Sequence, residues 1–244
     1  MLVEEYFELI AVLLARAWES QRKKIEEASA MIADSIAEGR ILHFFAPGHS
    51  HMLGEELFYR AGGLAPVNVI LEPALMVNYG AGKSSKMERL PGLAKIIFDE
   101  SSASCGDVMI VASTSGVNQV PVEMACEAKA AGVKVIALTS VEYSRATPVR
   151  NDREMRLYDI GDIVIDTCVP YGDAAIAIEG VAQKVAPVST VIGATIVNSI
   201  VVSVVENLAA RGIEPPIFKS ANVPGGLEHN ARLLELYRPM IKSL

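Results

Sequence analysis

Three hydroxyls and a glycine fall together in Ser113-Thr114-Ser115-Gly116-Val117-Asn118. An apolar run over residues 107–112 precedes them, and a helical pattern over 120–131 follows. The stretch therefore sits where a strand hands over to a helix N-terminus. Free N–H groups and the positive end of the helix dipole favour an anion at such a place. Short hydroxyls donate to phosphate oxygens, and glycine lets the backbone come close. The same residue types also serve as ordinary N-caps, so the rest of the chain has to discriminate. Ala46-Pro47-Gly48-His49-Ser50 leaves an earlier apolar run and places His49 beside a glycine turn. His49 and His51 are two apart, a spacing at which side chains diverge on a strand or a helix, and no metal site is expected. His51 opens the next helix as a local cap. Of Glu55 and Glu56 in that helix, Glu56 is preferred as a base at the rim, with pairing to Arg60 as the structural alternative. Asp173 follows a later strand as either an N-cap, which is favoured, or an acid/base group. Gly82-Lys83-Ser84 ends like a P-loop, but Val77 stands where the required glycine belongs. Residues 72–100 are instead expected to form a lid carrying Lys83, Lys86 and Arg89.

These residues need a frame. The chain has 244 residues, 51% hydrophobic and 21% charged, with a formal net charge of −7. That excludes disorder and argues against general nucleic-acid binding, which needs a basic face. Cys105, Cys126 and Cys168 are scattered and odd in number, so no disulfide framework or zinc site is indicated. Met1-Leu2-Val3-Glu4-Glu5 is acidic where a secretory signal is basic, and a cytoplasmic location is expected. Polar residues interrupt the apolar run over 188–210, which reads as a helix buried on nearly all sides and not as a membrane span. Helical spacing over residues 2–38 predicts one long helix or a helical hairpin. Short apolar runs at 41–46, 67–71, 107–112, 133–138 and 162–168 alternate with helical ones, including 50–61. The pattern predicts an α/β fold: a five-stranded parallel sheet between two helical layers, plus the N-terminal helical segment. The expected division is 1–38, a domain over 39–214, and a tail and helix over 215–244 at a subunit interface. Ligands of such sheets bind at the strands' carboxyl ends, near a switch in strand order.

With that rim laid out, the chain resembles the sugar isomerase (SIS) domain family, over about residues 39–226. Ala46-Pro47-Gly48-His49-Ser50 stands where many members have Gly-x-Gly-x-Ser. Residues 113–118 resemble the family's Ser-x-Ser-Gly-x-Thr/Ser phosphate loop. Residues 130–140 resemble the strand that follows it, and 185–190 with their helix resemble arabinose-5-phosphate isomerases. The resemblance implies a flavodoxin-like fold and a phosphorylated sugar held by Ser50, Ser113, Ser115 and Asn118, while His49, beside the Gly48 turn, is expected to line the same pocket. Thr114 and Gly116 would help through the backbone, and Ser189 and Thr190 from the last long helix. It also implies a homodimer or homotetramer and an aldose–ketose isomerisation through an enediol; no cofactor, metal, nucleic-acid or membrane partner is expected. His49 replaces a lysine of arabinose-5-phosphate isomerases, and Asn222-Val223 replaces their histidine. The glutamate base of the glucosamine-6-phosphate synthase isomerase domain has no counterpart, so Glu56 and His229 stand as the expected catalytic pair. A ligand-binding sensor without turnover is the alternative.

Overall fold

The computed structural model describes residues 1–244. Its elements run α1 (Leu2–Ala37), β1 (Leu42–Phe45), α2 (Met52–Leu57), β2 (Val67–Ile70), α3 (Ala81–Met87), α4 (Leu93–Asp99) and β3 (Val108–Ala112). Then come α5 (Gln119–Ala130), β4 (Lys134–Thr139), α6 (Val141–Ala146), β5 (Ile163–Asp166), β6 (Ala174–Ile176), β7 (Val185–Pro187), α7 (Ser189–Ala210) and α8 (Gly226–Tyr237). The first five strands form one wholly parallel sheet in the order β2-β1-β3-β4-β5, as the sequence pattern predicts. Strand side chains alternate between faces. Phe44, Ile110, Ile136 and Ile165 join one core cluster, with α1, α2 and α7; Phe45, Met109, Val111 and Val135 join the other, with α4 and α5. Both faces are covered, which is why the strands read as near-continuous apolar runs.

The N-terminal segment is a single helix, not a hairpin. Leu13, Ala17, Ile25, Ala28, Ile32 and Ile36 make its buried stripe, at the three-to-four-residue spacing of one helix face. α7 packs beside it, and this corrects one expectation. Ile192, Gly193, Ile196, Val197, Ile200, Val201, Val204 and Leu208 are buried, whereas Val191 and Val202 are exposed. The helix is long and apolar enough to cross a membrane, yet its apolar stripe here forms the core against α1, α2 and the sheet. A Cβ at Gly193 would lie 2.7 Å from Leu53 Cδ1, so glycine permits the close approach of α7 to α2.

Three other segments differ from the sequence reading. The helix expected over 50–61 is a 3-10 turn, Gly48–His51, followed by only six residues of α2. Residues 72–100 fold into α3 and α4, with Leu75, Ala94, Ile97 and Phe98 buried, and do not form an open lid. The antiparallel pair β6–β7 was not expected from the sequence. The C-terminal tail packs on its own chain: Phe218, Tyr237 and Ile241 meet Ile41 and Ala65 at the amino-terminal edge of the sheet.

Candidate functional site

In the strand order β2-β1-β3-β4-β5 the winding direction reverses between β1 and β3. A crevice opens outside the carboxyl ends of two strands at such a point. It is present here as a cleft of about 220 Å³ lined by Pro47, Gly48, His49 and Ser50 from the β1 turn and by Ser113, Thr114, Ser115 and Asn118 from the β3 turn, with Glu88, Tyr143, Asp173 and Ser189 around them. A pit of about 20 Å³, room for one water, adjoins it and is lined by Thr167, Thr190 and Gly193 as well as Ser50, Ser113 and Ser189.

The β3 turn is fixed from below. Ser113 N–H donates to the Leu138 carbonyl at 3.0 Å, and Gly116 N–H donates to Ser113 Oγ at 3.2 Å. Thr139 Oγ1 and Ser140 N–H donate to the Thr114 carbonyl at 3.2 and 3.0 Å. Gly116 has φ +59°, and a Cβ there would lie 2.7 Å from Thr139 Oγ1, so this turn needs glycine twice over. These bonds occupy the Thr114 carbonyl. The N–H groups of Thr114 and Ser115, and the hydroxyls of Ser50, Thr114 and Ser115, make no hydrogen bond within the chain. They border the cleft at the N-terminus of the twelve-residue α5. No Lys or Arg lines the cleft, so an anion placed there meets amides, hydroxyls and the helix dipole.

The N-terminus of α7 is different, because the chain already fills it. Asp173, at φ +64°, accepts from Val188 N–H at 3.0 Å, Ser189 N–H at 2.8 Å and Ser189 Oγ at 2.7 Å. Asp173 thus caps a helix that begins sixteen residues away and not one of its own. Asp173→Ala is expected to lower stability by about 1–2 kcal/mol, the usual cost of losing an N-cap. Chemical denaturation measures it, and an unchanged midpoint would show that the cap contributes nothing.

The structure brings His49, Ser50, Ser113, Thr114, Ser115, Asn118 and Ser189 to one cleft and Thr190 to its pit. Gly116 shapes the turn from beneath. The two expected catalytic residues lie elsewhere. Glu56 pairs with Arg60 and accepts from Asn198 Nδ2 at 2.7 Å on α7. His229 contacts the Ile217 carbonyl through Nε2 at 2.8 Å and lines a separate cavity with Ile36, Pro215 and Tyr237, toward the amino-terminal edge. His51 is buried, its Nδ1 against the Gly48 carbonyl, while His49 is exposed and faces the cleft. Lys83, Lys86 and Arg89 do not border the cleft, but Glu88 beside them does. Burial pushes the Glu88 carboxyl above the usual carboxylate range, against the opposing pull of the Asn118 hydrogen bond and of Arg89. Nothing in the sequence marks Glu88; it is one of several acids in a long connection. Tyr143 stacks edge-on against Tyr171 at 5.0 Å, and burial, with Tyr171 and Asp173 nearby, pushes its phenol above the usual range.

The chain is thus an α/β domain with a polar cleft, free of Lys and Arg, over the β1/β3 switch point of its parallel sheet. The model of the SIS domain matches residues 5–140, and the chain belongs to the SIS domain family. Similar relatives are the UPF0309 proteins of Caldanaerobacter subterraneus subsp. tengcongensis, 42% identical, and of Halalkalibacterium halodurans, 41% identical. Alignment covers 100% of this chain with both, and 100% and 97% of the two relatives. Among solved structures, the phosphoheptose isomerase of Neisseria gonorrhoeae has a TM-score of 0.54 at 14% identity, covering 84% of this chain and 97% of that one. That of Francisella tularensis has 0.53 at 15%, covering 84% and 96%. The NanR protein of Vibrio vulnificus, complexed with ManNAc-6P, has 0.51 at 17%, covering 98% and 72%. At these identities the structural likeness shows the fold.

Proposed function

We propose that the protein binds a phosphorylated sugar in the β1/β3 cleft and isomerises it between aldose and ketose forms through an enediol. One observation carries the binding half: free hydroxyls of Ser50, Thr114 and Ser115 converge with the free N–H groups of Thr114 and Ser115 at the α5 N-terminus. That donor set matches a phosphate. His49 and Asn118 line the sugar end, and Ser189 and Thr190 close the far wall and the pit. Holding the phosphate orients the rest of the substrate, so binding energy from the non-reacting end serves the reaction. The SIS neighbours described as phosphoheptose isomerases support this reading. The site works in a cytoplasmic homo-oligomer, in keeping with the exposed apolar residues Phe7, Val12 and Trp18 of α1 and Val202 of α7.

A second reading is a sugar-phosphate sensor, favoured by the positions of Glu56 and His229 away from the cleft and by the NanR neighbour. Proton exchange separates the two. Fructose 6-phosphate, arabinose 5-phosphate, sedoheptulose 7-phosphate and glucosamine 6-phosphate are incubated with the protein in D2O and followed by NMR. Isomerisation predicts deuterium at C1 or C2 with at least one of them, and Ser115→Ala weakens binding about tenfold, the worth of one hydrogen bond to a charged group. A ligand-induced rise in Tm without any exchange would leave the sensor; neither a shift nor exchange would sink both.

A further inference from the structure

The cleft holds two carboxylates, and their surroundings assign them different work. Both oxygens of Asp173 are occupied: Oδ1 by the N–H groups of Val188 and Ser189, Oδ2 by the Ser189 hydroxyl. Asp173 is committed to the end of α7. Glu88 uses one oxygen only. Its Oε1 accepts from Asn118 Nδ2 at 2.9 Å, while its other carboxylate oxygen has no partner in the chain. The main chain repeats the attachment, because the Glu88 carbonyl accepts from Val120 N–H at 3.0 Å in the first turn of α5. One side-chain bond and one main-chain bond thus tie Glu88 to the helix start that presents the phosphate donors. A proton-transfer group needs such fixity relative to the group that anchors the substrate.

We propose that Glu88 moves the proton between C1 and C2 of the bound sugar phosphate, with Asn118 as its positioning residue. The inference rests on the isomerase reading given above. The free carboxylate oxygen takes the proton from C2 of the aldose. The C–H electron pair becomes the C1–C2 double bond, and the carbonyl pair moves onto O1, which takes up the proton that O2 gives up. As O2 becomes the new carbonyl, Glu88 returns its proton to C1. No oxidant, reductant or further reactant enters, and the carboxylate ends as it began. Burial of this carboxyl brings its protonation closer to neutral pH, where a general base is most effective. Glu56, bridged to Arg60 and Asn198, has no comparable approach to the cleft.

The test uses the full chain, the same four sugar phosphates and two variants. Glu88→Gln preserves shape and is expected to keep the ligand-induced Tm shift while slowing C1/C2 exchange at least 100-fold, the lower end of what general-base catalysis supplies. Glu88→Asp keeps the charge at a shorter reach and is expected to retain measurable exchange. The acidic limb of the wild-type pH–rate profile belongs to Glu88 and is absent from residual exchange in Glu88→Gln. The other titratable or charged groups facing this carboxyl are Arg89 beside it and His49, Tyr143 and Asp173 across the cleft. Wild-type exchange rates in a folded Glu88→Gln protein would overturn the proposal and leave the isomerase reading standing. Failure of the wild type to exchange any of the four would overturn both. Should Glu88→Gln fail to fold, Glu88→Asp exchanging at the full wild-type rate with an unmoved acidic limb would overturn it instead.

Discussion

Gly116→Ala is expected to weaken sugar-phosphate binding by at least about 100-fold and to lower Tm by several degrees. Two effects add. At φ +59° a side chain sits in the left-handed region, which costs roughly 1–2 kcal/mol for a residue with a Cβ. The new Cβ would also lie 2.7 Å from Thr139 Oγ1, the hydroxyl that holds the Thr114 carbonyl. Relief requires either Thr139 or the turn to shift, and a shifted turn misdirects the N–H groups of Thr114 and Ser115. Hydrogen bonds to a charged ligand are worth about 1.5–3 kcal/mol each, so losing two amounts to a hundredfold or more. Calorimetric titration with whichever sugar phosphate raises the wild-type Tm reads the effect. Native affinity in a folded Gly116→Ala protein would mean that the turn does not hold the anion.

Local signals made much of this legible. The five parallel strands are near-continuous apolar runs, because both faces of the sheet are covered. The hydroxyl-and-glycine turn could be placed from its position between a strand and a helix alone. What could not be read depends on contacts between residues far apart in sequence. Asp173 is readable as a cap, but the helix it caps begins sixteen residues later, beyond the β6–β7 pair. Glu88 reaches the cleft because α4 packs against the sheet and α5; read from the sequence, residues 72–100 are a lid over the rim whose cations, not its acids, point to a ligand. Glu56 misled in the opposite direction. Its helix starts at the rim, but α2 carries it toward Asn198 on α7, where Arg60 one turn on completes an ordinary pair. The two faces of α7 are hidden for a related reason. A run of Val and Ile over 191–205 does not reveal which third of it meets α1.

Asp107→Ala is expected to cost about 3–5 kcal/mol, enough to unfold a domain of ordinary stability under mild stress. Asp107, just ahead of β3, is buried with His43 of β1 and Asn68 of β2. Its carboxylate contacts His43 Nε2 at 3.3 Å and accepts from Ser104 N–H at 2.8 Å, Ser104 Oγ at 3.1 Å and Ile41 N–H at 3.3 Å. Asn68 Nδ2 lies 3.0 Å from His43 Nδ1 and donates to the Ser101 carbonyl at 3.0 Å. One side chain thus ties β1, β3 and the connection before β3 together inside the core, and alanine would leave several buried donors unpaired. Burial pushes the Asp107 carboxyl up, but the hydrogen bonds from His43, Ser104 and Ile41 outweigh it and hold it below its ordinary 3.8. A depressed pKa in the folded state means that the unfolded chain binds the proton more readily. The carboxylate's contribution is therefore complete above about pH 5 and is lost as pH falls through 3.8 and then through the lowered native value. Urea denaturation of the wild type and of Asp107→Asn at neutral pH and near pH 3 should show the gap between them narrowing in acid. A gap that held constant with pH would mean that the charge on Asp107 does not hold these strands together.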